Sequence, residues 1–120
     1  MSGQVEMKPR LLLVEDDAIS CSFMRAALEA LPAEVDAVDS MAAALALPGD
    51  HALWLLDVNL PDGSGTDLLW KLRSRFPGTP ALAHTADDSS RLHAELRAAG
   101  FNDVLVKPLS AAQLQQAVRR

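Results

Sequence analysis

The stretch Leu53-Trp54-Leu55-Leu56-Asp57-Val58-Asn59-Leu60-Pro61-Asp62-Gly63-Ser64-Gly65 decides the fold. Its first four residues are all apolar, with no alternation, as in a strand covered on both faces. Asp57 closes the run. The segment Asn59 to Gly65, with one proline and two glycines, reads as a loop. Strands buried on both sides belong to parallel sheets flanked by helices.

The pattern repeats outward from this stretch. Upstream, Leu11-Leu12-Leu13-Val14 is a second apolar run, closed by Glu15-Asp16-Asp17, and Glu34 to Val38 alternates as a half-buried strand does. Downstream, Ala81-Leu82-Ala83 leads to His84-Thr85, and Val104-Leu105-Val106 ends at Lys107-Pro108. Helical patterns lie between these runs. From Ala18 to Leu31, Ile19, Phe23, Ala26, Ala27 and Ala30 recur at helical spacing; Asp16 or Asp17 is placed to cap that helix and Pro32 stops it. Ser40 caps a helix from Met41 to Leu47, ended by Pro48-Gly49. Thr66 to Phe76 is helical until Pro77-Gly78, Ser89 to Ala99 has Gly100 as its C-cap, and Ser110 caps a last helix to Arg120. Five strand–helix alternations predict an α/β, doubly wound, five-stranded parallel sheet with five helices and right-handed crossovers. Residues 10–120 form the one domain, and residues 1–9 read as a flexible N-terminal extension.

Composition narrows the function. A chain of 120 residues buries about 12,000 Å² of roughly 19,000 Å² on folding, enough for a core without staples. Three Phe, two Trp and no Tyr make that core aliphatic. A single cysteine, Cys21, excludes an internal disulfide and a cysteine-based zinc site. With 11 basic against 16 acidic residues the net charge is −5, so bulk attraction to nucleic acid or anionic lipid is not expected. The run Leu11 to Val14 is too short for a signal-peptide core or a membrane span, and the expected location is cytoplasmic.

Parallel α/β sheets bind ligands at the carboxyl ends of their strands. There this sequence delivers Glu15, Asp16 and Asp17 from the first strand, Asp57 from the third, Thr85 from the fourth and Lys107 from the fifth. Each residue alone is an ordinary cap or turn former. Together they carry complementary roles. Crowded carboxylates repel one another, and a hard divalent cation with oxygen ligands relieves the repulsion; Mg2+ suits this best. A phosphoryl group brought there is neutralised by metal and lysine, a hydroxyl donates to its oxygens, and a carboxylate can serve as nucleophile.

These motifs, Val14-Glu15-Asp16-Asp17, Leu56-Asp57-Val58-Asn59-Leu60-Pro61-Asp62-Gly63, His84-Thr85-Ala86 and Val106-Lys107-Pro108, resemble the receiver domain of two-component response regulators. The resemblance runs from Arg10 to Arg119. It implies the flavodoxin-like strand order 2-1-3-4-5, for which a receiver is itself one of the type examples. It implies that Asp57 accepts a phosphoryl group from a sensor histidine kinase or a histidine phosphotransfer protein. Glu15 and Asp16 would be the acidic pair around Mg2+, Asp16 as direct ligand, with Asp57 and the backbone carbonyl of Asn59 completing the protein ligands. Thr85 would move its hydroxyl to the phosphoryl oxygens, Lys107 would pair with them, and the Lys107–Pro108 peptide would be cis. The output partner is unspecified, homodimerisation through the face of helices four and five is left open by the sequence, and neither nucleic acid nor membrane is expected as a direct partner of these residues.

One position departs from the family pattern. Receivers carry Tyr or Phe three residues before the lysine, where this sequence has Val104. Output is then expected to depend on the loop after Thr85 and on helix four. Asn59 and Asp87 lie two residues beyond Asp57 and Thr85. Polar groups there orient attacking water, which predicts an acyl phosphate lasting minutes or less. Two other functions compete. A Mg2+-dependent aspartyl-phosphate phosphatase, as in haloacid-dehalogenase-like proteins, needs a second Asp where Asn59 stands. A degenerate receiver acting only as a binding module conflicts with the presence of every site residue. Elsewhere, Cys21, Trp54 and Trp70 read as core or boundary packing, His51 and His93 as surface, and Phe101 as a helix–sheet contact. Strand alternation turns His84 away from the site, and Arg119-Arg120 reads as favourable charge at a helix C-terminus.

Overall fold

The computed structural model describes residues 8–47 and 50–119. The expected extension at residues 1–7, the helix stop at Pro48-Gly49 and the terminal Arg120 lie outside the described residues. The elements run β1 (Arg10–Val14), α1 (Ala18–Glu29), β2 (Glu34–Val38), α2 (Met41–Ala46), β3 (Leu53–Asp57), β4 (Asn59–Leu60), β5 (Gly63–Ser64), α3 (Gly65–Arg75), β6 (Ala81–Thr85), α4 (Ser90–Ala99), β7 (Asp103–Val106) and α5 (Ala111–Arg119). The large sheet has the order β2-β1-β3-β6-β7 and is parallel throughout. This is the expected 2-1-3-4-5 order once the small hairpin β4–β5 is set aside. That hairpin corrects the reading of Asn59 to Gly65 as plain loop: Asn59 pairs with Ser64 and Leu60 with Gly63, antiparallel.

Alternation along the strands builds two aliphatic layers. Leu11, Leu13, Leu53, Leu55, Leu82 and Leu105 face α1 and α5, packing on Met24, Ala27, Leu28 and Leu114. Leu12, Val14, Trp54, Leu56, Ala81, Ala83 and Val104 face the other way, onto residues of α2, α3 and α4 and onto Phe101. Trp54 is fully buried and meets Phe76 edge-on at 6.5 Å between ring centroids. Trp70 instead lies on the surface, its indole N–H donating to the carbonyl of Ala99 across α3 and α4.

The face of α1 differs from the expected stripe. Met24, Ala27 and Leu28 are buried, whereas Ile19 is 83% exposed and Phe23 47%. Both apolar sets have helical spacing. Met24 and Leu28 fill the layer against α5, and the Ile19–Phe23 edge is left to solvent. The helix starts are set by side-chain caps: Asp17, Ser40, Ser64, Ser89 and Ser110 each accept from a backbone N–H three residues on. Asp62 adds a second cap to α2, accepting from the backbone N–H of Met41 and Ala42, and so ties the β4–β5 hairpin to that helix.

Gly65 joins this scaffold to the end of β3. Its N–H donates to the carbonyl of Val58 at 2.9 Å. A Cβ there would overlap the carbonyl oxygen of Asp57 and sit 3.1 Å from the Cα of Val58. Both obstacles are backbone, which cannot move aside as a side chain can. Gly65→Ala is therefore expected to cost ~1–3 kcal/mol in denaturant unfolding by overpacking, and unchanged stability would contradict this contact.

Candidate functional site

The carboxyl edge of the large sheet gathers residues from four strands. β3 ends at Asp57 and β6 at Thr85, while Glu15 and Lys107 each follow immediately on β1 and β7. Backbone bonds hold these ends in step: Glu15 N donates to Val38 O, Val58 N to His84 O and Lys107 N to Thr85 O. The Lys107–Pro108 peptide is cis, as expected.

The centre is an ammonium between two carboxylates. Lys107 Nζ donates to Glu15 Oε1 in a close ion pair and lies 3.4 Å from Asp57 Oδ2. The Glu15 side chain is 1% exposed and that of Asp57 9%. Backbone donors complete the set: Asn59 N–H to Asp57 Oδ1 at 3.1 Å and Asp17 N–H to Glu15 Oε2 at 3.1 Å. Thr85 is buried, and its Oγ1 accepts from the backbone N–H of Asp87 at 3.1 Å. Asp16 and Asn59 are exposed at the rim. Asp17, of the two candidates, is the α1 cap.

One cation serves two buried carboxylates, and their protonation equilibria differ accordingly. Burial pushes Asp57 up to about 6, reinforced by the hydrogen-bonded and like-charged Glu15 beside it. Burial would also raise Glu15, but the hydrogen bonds it receives, from Lys107 above all, hold it below the ordinary carboxylate value. Burial alone would lower Lys107; Glu15 and Asp57 outweigh it and hold the ammonium above its usual value. The donor set therefore fits a hard divalent cation. It offers two buried carboxylates and a rim carboxylate, Asp16, against a single ammonium, and the uncompensated charge falls on Asp57.

His84 corrects the expectation that it faces away. The register pairs Asp57 with His84, while Thr85 pairs with Val106. Paired residues of parallel strands share a face, so His84 points to the same side as Asp57. Its ring is fully buried, with Nδ1 3.6 Å from Glu15 Oε1. Neither ring nitrogen makes a hydrogen bond of ordinary geometry, although the Leu55 and Val14 carbonyls lie beside the ring and favour its charged form. Burial, with the nearby Lys107 charge, lowers its pKa to about 4. The signal that could have found it is the strand register, which alternation within one strand does not contain. His51 is likewise not on the surface: it is buried, and its Nε2 lies 2.7 Å from Asp36, which also pairs with Arg10. His93 sits at the surface with Nε2 2.9 Å from the Asp87 carbonyl.

Comparison with known proteins agrees with this arrangement. Residues 11–119 match the sequence model of the response regulator receiver domain. The aerobic respiration control sensor protein ArcB of Escherichia coli is 36% identical over 114 residues, covering 92% of this chain and 15% of ArcB. The transcriptional regulatory protein CusR of the same organism is 35% identical over 112 residues, 92% of this chain and 49% of CusR. The chain thus spans half or less of these relatives. Among solved structures, the chemotaxis response regulator CheY4 of Vibrio cholerae superposes with a TM-score of 0.86 at 25% identity, over 95% of this chain and 98% of CheY4. The chain belongs to the response regulator receiver domain family, the phosphorylation-dependent switches of two-component signalling. Among the described residues no helix is long and apolar enough to cross a membrane.

The buried imidazole has a consequence for stability. The unfolded chain takes up a proton on His84 below about 6.5, whereas the folded chain does so only near 4. The unfolded state therefore binds more protons in this window, and stability is lost as pH falls through it. The opposite shift of Asp57 is common to wild type and a His84→Leu variant and cancels in their difference. In chelator-treated protein, wild type should lose roughly 2 kcal/mol relative to His84→Leu between pH 7 and pH 5. Parallel stability curves in denaturant would refute the burial of a neutral ring.

Proposed function

We propose that Asp57 is the phospho-acceptor of this receiver. The observation that carries the proposal is the ammonium of Lys107 held between the carboxylates of Glu15 and Asp57. Glu15 already holds the lysine, so Asp57 keeps an under-compensated oxygen at the mouth of the site. A carboxylate oxygen of Asp57 attacks the phosphorus of a phosphohistidine. The P–O bond forms as the P–N bond breaks, and the electron pair returns to the donor's imidazole. Lys107 then pairs with the phosphoryl oxygens, and the Thr85 hydroxyl turns from the Asp87 N–H to donate to them. Glu15, Asp16, Asp57 and the Asn59 carbonyl would hold Mg2+, which supplies positive charge to the transferring group.

The donor is a histidine kinase or phosphotransfer protein, and its docking surface is the exposed edge of α1. Ile19 and Phe23 border a shallow apolar hollow with Ala86, Pro108 and Leu109, and Lys107 lines the same hollow. A partner seated there brings its phosphohistidine to the mouth of the acidic pocket.

Output is proposed to run through the loop after Thr85. Thr85 Oγ1 accepts from Asp87 N–H, Asp87 Oδ1 from Ser89 N–H, and Ser89 Oγ from Leu92 N–H in the first turn of α4. When the Thr85 hydroxyl leaves this chain for the phosphoryl group, the N-cap of α4 is loosened. Val104, buried beneath α4, offers no ring to swing.

Incubation with acetyl phosphate and Mg2+ should add one phosphoryl group by intact mass, lost in Asp57→Asn. Lys107→Met should slow its formation roughly a hundredfold. A phosphorylated Asp57→Asn chain would overturn the assignment. For the docking surface, Ile19→Glu and Phe23→Glu should slow transfer from a phosphorylated donor protein while leaving the acetyl phosphate rate unchanged. Equal loss with both donors would remove α1 from the interface.

A further inference from the structure

We propose that Glu15, Asp57 and His84 form a mixed oxygen–nitrogen site for a borderline divalent ion of the zinc class, and that this ion competes with the phosphoryl group for Asp57. The second half rests on the reading of Asp57 as phospho-acceptor; the first does not.

The starting point is His84. A fully buried imidazole that makes no well-formed hydrogen bond, with only the poorly aligned Leu55 and Val14 carbonyls beside it, forfeits most of what a buried polar group ordinarily keeps. Its ring is aimed at the acidic pocket, with Nδ1 3.6 Å from Glu15 Oε1. One ligand atom from each of Glu15, Asp57 and His84 lies within 4.8 Å of the others. Bonds of about 2.0–2.1 Å place tetrahedral zinc ligands about 3.3 Å apart. Closing that gap asks for side-chain adjustment of the two carboxylates.

The donor chemistry selects the ion. Mg2+ takes oxygen ligands and gains little from an imidazole, whereas Zn2+ and Co2+ bind imidazole and carboxylate well. Three protein ligands leave a fourth tetrahedral position open. This set shares Glu15 and Asp57 with the proposed Mg2+ ligands and differs from them in replacing Asp16 and the Asn59 carbonyl by the imidazole of His84. The three ligands stand on or just beyond β1, β3 and β6, which the sheet holds in register. Lys107 now fills the space between the two carboxylates with its ammonium. Its side chain is 21% exposed on a flexible stem, so it can swing to solvent when a dication replaces it. An ion held there occupies the oxygens of Asp57 and displaces the lysine that would meet the phosphoryl group.

The test uses the 120-residue chain and its His84→Leu variant, titrated calorimetrically with Zn2+ and separately with Mg2+. His84→Leu should weaken Zn2+ at least tenfold and change Mg2+ less than twofold. Equal Zn2+ affinity in the two proteins would overturn the site. A readout on wild type alone guards against a poorly folded variant: in long-range 15N–1H spectra, Zn2+ should shift the ring nitrogens of His84. Shifts confined to His51 and His93 would place the ion elsewhere and reject the proposal. Acetyl phosphate labelling in Mg2+ should then slow with Zn2+ in wild type and not in His84→Leu. Zn2+ bound at His84 without slowing would reject the competition. Absence of labelling in both proteins before Zn2+ is added would instead reject Asp57 as acceptor, leaving the binding result intact.

Discussion

Everything at the carboxyl edge of the sheet depends on one ammonium shared by two carboxylates. Lys107 reaches Glu15 across 92 positions of sequence and Asp57 across 50. Neither contact exists until β1, β3 and β7 stand in one sheet, so the site is a product of the fold's topology. The sharing is unequal. Glu15 holds the lysine closely and sits below its ordinary pKa, while Asp57, farther off, is pushed up to about 6. Two chemically similar side chains a few ångströms apart thus receive different tasks. One anchors the ammonium, and the other keeps poorly compensated oxygens.

Such a pocket is costly to bury, and the surrounding structure offsets it. The two aliphatic layers begin one or two residues before the site residues on the same strands: Leu13 and Val14 before Glu15, Leu55 and Leu56 before Asp57, Leu105 before Lys107. The residues that carry chemistry are therefore held by the rigid part of the chain. The helix caps serve the site as well. Asp17 caps α1 while its N–H orients Glu15, and Asn59 N–H orients Asp57 as the β4–β5 hairpin begins. Asp62 pins that hairpin to α2 and so fixes the exit of the chain from Asp57.

Much of this is legible in the sequence because the signals are local. Apolar runs closed by acids mark β1 and β3, Ser40 and Ser110 before periodic segments mark two helix starts, and the strand order follows from the family resemblance. What is not legible depends on how strands meet. Alternation along β6 alone places Thr85 on the face of Asp57 and turns His84 away. The pairing of Asp57 with His84 shifts that count by one residue, which reverses every side chain on the strand. His51 escapes for a similar reason, since its partner Asp36 comes from β2 and is itself paired with Arg10 of β1. On α1 two apolar stripes fit the same helix, and only packing against α5 decides between them.

The absence of tyrosine, in the first instance a fact about core composition, bears on how the domain reports its state. Val104 is packed in the layer beneath α4 and has the wrong size and shape to travel between two rotamers over several ångströms. A packed valine transmits force only by shifting its neighbours, and close-packed neighbours resist small shifts. The path from Thr85 to α4 is different in kind. It consists of discrete hydrogen bonds, Thr85 to Asp87, Asp87 to Ser89 and Ser89 to the first turn of α4, in a loop whose residues 86–89 are all exposed. These bonds lie in exposed backbone, whereas Val104 is held within a close-packed layer. The Asp87 carbonyl is also held by His93 one turn into α4, which ties that helix to the same bond network. Thr85, at the opposite face of its strand from Asp57, is thus the end of β6 to which this hydrogen-bonded loop is tied.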